Sequence, residues 1–111
     1  MTDPVFRYET GEDGQPAAHP IGGAHADLAS FLNEEVRWPD YADQLLDSVA
    51  KAGTSGKPEI NTGNAYAVTV GATHAAIEHL HVKHHKKVRV PVGVFARALR
   101  EWKGLLEKNT P

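Results

Sequence analysis

The sequence predicts an α+β fold, a small antiparallel sheet with three helices packed on one side, in a single domain over residues 1–111. Three observations predict it. Two stretches between Asp27 and Gly53 repeat apolar residues at helical spacing, residues 65–90 alternate as hairpin strands do, and Phe95, Leu99, Trp102 and Leu106 form a final stripe at steps of four, three and four. Helices with one apolar face need a sheet to bury it against.

Along the chain, "VFRY" (Val5 to Tyr8) reads as a short strand between Pro4 and the turn-forming "GEDG", and the loop-like "GQPAAHPIGGAH" leaves room for a second strand before Pro20. Asp27 is placed as an N-cap, after which Leu28, Phe31, Leu32 and Val36 lie on one helical face until Trp38 and Pro39 end the helix. Asp40 caps a second helix whose buried face is Tyr41, Leu45 and Val49 with Leu46 beside them, and Gly53 ends it. "AYAVTV" puts Tyr66, Val68 and Val70 on one side; "GATH" turns the chain into "AAIEHLHV", a β-hairpin. In "KKVRVPV", Val88 and Val90 oppose Lys87 and Arg89, and Pro91 closes the strand. The last helix widens its stripe with Ala98 and Leu105.

With 111 residues the chain can bury about two-thirds of its unfolded surface. It is expected to fold as a monomer or dimer without cofactor, metal or disulfide. It has no cysteine, no apolar run of membrane-spanning length and no signal peptide in "MTDPVFRYET", so a cytoplasmic protein with no membrane partner is expected. The net charge of −2 hides a division: residues 1–60 hold eleven acids and four bases, and residues 61–111 three acids and eight bases. Such asymmetry holds the halves together or offers partners two different faces, and the total is unlike that of a general nucleic-acid binder.

"HLHVKHHKK" (79–87) concentrates four of the seven histidines with three lysines. His79 and His81 share a strand face, as an HxH metal site requires, and His84 or His85 could add a third ligand. Against this, Glu78 falls on the opposite face and Lys83, Lys86 and Lys87 repel a cation, so a solvated hairpin end is expected instead. Lys83, Lys86, Lys87 and Arg89, extended by Arg97, Arg100 and Lys103, would suit phosphates, but no aromatic residue is interleaved and no nucleic-acid motif can be written over them. Lysines on an edge strand also block strand-to-strand aggregation.

No GxSxG, P-loop, GxGxxG or HExxH pattern occurs, and Ser30, Ser48 and Ser55 have no nucleophile setting. Glu34 and Glu35 are helical neighbours, pointing a quarter turn or more apart rather than at a shared substrate. Both tryptophans are expected in the core, although Trp38, at a helix end before Pro39, has the position from which an aromatic could anchor a partner.

Taken in order, "VFRYETG", "HPIGGAH", "FLNEEV", "LLDSV", "GNAYAVTV", "AAIEHLH" and "VPVGVFARALREW" resemble the YacL-like group of small uncharacterised bacterial proteins. The resemblance spans most of the chain and implies a compact cytosolic α+β protein without assigned chemistry. The basic "HVKHHKK" hairpin departs from it.

Three functions stay open. The first is a non-enzymatic protein-binding module, an immunity protein that neutralises a toxin being one form, in which Glu34, Glu35, Asp40, Asp43 and Asp47 beside Trp38 and Tyr41 make a negative surface for a basic protein partner. The second is a nucleic-acid-associated protein using Lys83, Lys86, Lys87 and Arg89. The third is a metal enzyme built on His79 and His81.

Overall fold

The computed structural model describes residues 6–10, 16–20, 26–63, 65–80 and 87–108. Strands β1 (Phe6–Thr10) and β2 (Pro16–Pro20) form an antiparallel ribbon. Helices α1 (Ala26–Glu34) and α2 (Pro39–Ser55) follow, then strands β3 (Glu59–Thr62), β4 (Tyr66–Val70), β5 (His74–His79) and β6 (Val88–Pro91), and finally helix α3 (Val92–Lys108). The last four strands make an antiparallel sheet in the order β3-β4-β5-β6. Mixed α+β architecture with three helices on an antiparallel sheet agrees with the sequence; the ribbon stands apart from that sheet.

Strand alternation decides what the helices cover. Tyr66, Val68, Val70, Ala75, Ile77 and Val90 are buried, whereas Ile60, Thr62 and Arg89 on the other face are exposed. α3 buries Phe95, Ala98, Leu99, Trp102 and Leu106, the face its spacing predicts. Phe31 of α1 sits among Tyr66, Phe95 and Tyr41, with ring centroids 5.5, 6.5 and 6.4 Å away. The ribbon joins the same core through Phe6 and Ala18 and is fixed to α1 by Asn33, whose amide accepts from Ala18 N–H at 2.8 Å and donates to Ala18 C=O at 2.9 Å. Tyr8 reaches α3, tilted on Trp102 with its hydroxyl donating to Glu101 at 2.7 Å.

Several local expectations are corrected. Asp27 lies in the first turn of α1, which starts at Ala26. α1 ends at Glu34, and Trp38 belongs to the next helix: its extended backbone (φ −129°, ψ 141°) is the N-cap of α2, ahead of Pro39, so Asp40 is a first-turn residue. α2 runs past Gly53 to Ser55, because the left-handed backbone that closes it (φ 74°) falls on Gly56, whose N–H bonds to Ala52 C=O. Its buried face is Ala42, Leu45, Ser48 and Ala52, one step round from the expected stripe, leaving Tyr41, Leu46 and Val49 half-buried at its margins. Strand β3 was not expected, and it inverts the usual pattern: polar Asn61 is buried while Ile60 is 71% exposed.

Asn61 tolerates burial because its side chain is satisfied. Its amide nitrogen donates to Ser48 Oγ and its oxygen accepts from Gln44 Nε2, both at 3.0 Å, which fixes β3 over α2. Trp102 is satisfied likewise, its indole N–H donating to Val36 C=O at 2.7 Å. Because Leu99 is fully buried, Leu99→Ala is expected to cost about 2 to 5 kcal/mol in urea denaturation; a change within about 0.5 kcal/mol would place α3 outside the core.

Candidate functional site

The connection between α1 and α2 brings Glu34, Glu35, Arg37, Trp38 and Tyr41 against Gly63, the residue after β3, around a depression of about 320 Å³. A larger hollow of about 540 Å³ at the C-terminal end of α2 is lined by Lys51, Lys57, Glu59 and small side chains, with no fully buried polar group among its walls.

Each wall of the depression has a local cause. Glu34 ends α1 exposed and accepts the Tyr66 hydroxyl at 2.5 Å. Glu35 is half-buried, with its carboxylate oxygens 3.3 and 3.4 Å from the N–H of Ala65. Glycine at 63 leaves room for that carboxylate, which a Cβ there would displace. Arg37 returns to α1, donating to Asn33 C=O at 2.8 Å. Tyr41 packs on Phe31, and its hydroxyl oxygen is buried with no hydrogen-bond partner among the described residues. Trp38 is 73% exposed, contrary to its expected place in the core. At an N-cap its side chain makes no capping bond and buries little, so neither local bonding nor packing accounts for an indole there.

The remaining acids on α2 divide. Asp40 is exposed in the first turn; Asp43 is held by Lys103 of α3 at 2.7 Å and Asp47 by Lys51 at 3.0 Å. The acids further along the helix are therefore partly neutralised, while Glu34, Glu35 and Asp40 share the corner with Arg37. Hydrogen bonding to Asp43 is the largest cause of the raised Lys103 pKa; burial opposes it, and the fields of Asp43 and Glu107 add to it.

Three of the five described residues of the basic set are in ion pairs. Lys87 pairs with Glu78 at 3.6 Å, Arg97 with Glu101 at 3.4 Å, and Lys103 with Asp43 and Glu107; Arg89 and Arg100 are exposed on different elements. Lys83, Lys86, His81, His84 and His85 lie outside the described residues. His79 is not at a solvated tip: its ring packs edge-on against Tyr66 at 4.6 Å, on the opposite face from Glu78. Among the described residues no three metal-ligating side chains converge.

The chain matches no protein-family model, no curated protein and no solved structure. No helix among the described residues is long and apolar enough to cross a membrane.

All three tyrosines have raised pKa values, and burial is the largest cause in each. Acceptance of the phenol proton by a carboxylate adds to it for Tyr8 (Glu101) and Tyr66 (Glu34), and the field of Glu35 adds to it for Tyr41. A raised folded-state pKa stabilises the fold fully below the unfolded value of 10.0 and loses that effect as pH rises toward the folded value. Above pH 10, tyrosinate absorbance is expected to appear together with loss of the circular dichroism signal; an independent titration of the folded protein centred at pH 10 would contradict these environments. Replacing Trp38 with serine supplies the missing cap and is expected to raise stability by about 1 kcal/mol in urea denaturation. A fall would mean the indole packs on the fold.

Proposed function

We propose that this protein is a non-enzymatic protein-binding module for a basic partner, with its binding surface at the corner of Glu34, Glu35, Trp38, Asp40 and Tyr41. The exposure of Trp38 beside these carboxylates carries the reading: a large rigid ring at the rim of an acidic depression supplies contact area, and the carboxylates steer a positively charged protein toward it. Asp43 and Asp47 lie further along α2 and, paired with lysines, contribute less. An immunity protein that covers the basic surface of a toxin is one module of this kind, and the cytoplasm is the compartment that suits it.

The test is capture from the source organism's lysate by tagged protein, with two matched variants. Trp38→Ala is expected to lose a basic partner while retaining the circular dichroism spectrum, and Arg100→Ala, which shortens an exposed side chain of α3 outside the corner, serves as the comparison. Association is expected to slow as salt is raised. Identical capture by Trp38→Ala and the unmodified protein would remove the corner from any role in binding.

A further inference from the structure

The two edges of the four-stranded sheet are treated differently. β6 carries Arg89 and Pro91 within the strand and Lys87 just before it, residues that discourage another chain from pairing there. β3, at the other edge, is Glu59-Ile60-Asn61-Thr62; Lys57 and Pro58 stand just before it, but inside the strand there is neither lysine nor proline. Among the described residues it has β4 as its one strand neighbour.

Register shows which backbone groups this edge presents. Gly63 N–H bonds to Tyr66 C=O at 2.8 Å, and β3 pairs with β4 so that Asn61 opposes Val68 and Glu59 opposes Val70. In an antiparallel pair, alternate residues direct both backbone groups at the partner strand. Glu59, Asn61 and Gly63 therefore face β4, while the N–H and C=O of Ile60 and Thr62 face outward. The Ile60 side chain, 71% exposed, stands beside them. The strand runs directly into Gly63, a wall of the acidic depression, about 10 Å from Ile60 at ~3.3 Å per residue.

We propose that the free edge of β3 and the Trp38 depression form one docking strip for an extended, basic segment of a partner protein. The segment adds to the sheet as a further strand, bonded to the backbone of Ile60 and Thr62, and sets an arginine or lysine side chain beside Trp38, Glu34 and Glu35. Main-chain bonding supplies affinity that is indifferent to sequence, and the depression supplies the preference for a cation through its carboxylates and the face of the indole. This deepens the binding reading above and rests on the acidic corner being the partner-facing surface.

The probe is a fluorescein-labelled ten-residue peptide alternating threonine and valine with two arginines at one end, made in both orders so that either strand direction can pair. Anisotropy is expected to show binding of one order, weakened at least tenfold when glutamates replace the arginines. Thr62→Pro removes an outward N–H without touching a bond to β4, and it is expected to weaken binding at least tenfold. Ile60→Lys, a guard of the kind β6 carries, is expected to act likewise and serves if the proline variant fails to fold. Amide exchange at Ile60 and Thr62 is expected to slow at least tenfold when the peptide is bound.

Failure of both peptide orders to bind overturns the proposal. Unchanged binding by Thr62→Pro and Ile60→Lys does so too. Sedimentation showing a dimer that either variant dissociates would assign the edge to a second copy and likewise overturn it. If Trp38→Ala loses cellular capture while both edge variants keep it, strand addition fails and the corner stands; if Trp38→Ala changes nothing, the corner fails.

Discussion

The bond from the Trp102 indole to the carbonyl of Val36 is the constraint on which the site depends. Both residues are fully buried, so an unmade bond would leave a carbonyl without water or partner and cost about 1 to 3 kcal/mol. It ties the middle of α3 to the short segment between α1 and α2. That segment has few residues in which to reverse direction, and Val36 is turned into the core by the bond and by its own apolar side chain. Glu35 and Trp38 on either side must then lie at the rim. The corner is thus set from beneath by a residue that has no part in it.

A second fixed point acts on the sheet. With Ser48 and Gln44 holding the Asn61 amide, β3 has one face committed to α2, and a slip of one residue would bury Ile60 but strand the Asn61 amide outside its partners. The polar contact therefore specifies register where the apolar pattern would favour the opposite facing. Its consequence is that Ile60 stays on the outer surface and the backbone of Ile60 and Thr62 stays on the edge. Buried hydrogen bonding and exposed apolar surface are in this strand two results of one choice.

The fold was legible where side-chain chemistry and burial agree. The stripe Phe95, Leu99, Trp102 and Leu106 and the alternation of Tyr66, Val68 and Val70 each have one reading, and the structure follows it. β3 was not legible because its four residues carry the inverse pattern, polar inward and apolar outward, and its inward residue is satisfied only by a helix thirteen and seventeen positions away in sequence. The acidic surface was legible in composition but not in detail. That Glu35 is drawn in depends on the space left by Gly63 and the amide of Ala65, and that Asp43 is neutralised depends on Lys103 on another helix. The start of α2 misled for a related reason: Asp40 has the chemistry of a cap, but the chain puts tryptophan in the capping position.

That placement separates stability from whatever retains the indole. Serine, threonine, aspartate or asparagine at residue 38 would bond to the free amides of the first turn, with Pro39 already fitted to follow. An indole there gives up that bond and leaves most of its apolar surface in water. Residues that contradict local rules without a compensating contact inside the fold mark places where a further contact is to be sought. The charge division along the chain narrows where that contact lies. Part of the acidic half is matched internally, through Asp43 and Lys103, so the two halves do attract one another across the α2–α3 interface. Among the described residues Glu34 and Asp40 are exposed on either side of Trp38, with Arg37 between them in the chain, so carboxylates and an uncovered apolar ring share this corner. A complementary surface for that corner has to be both cationic and able to cover an aromatic ring, which a protein segment carrying arginine or lysine provides in a single side chain.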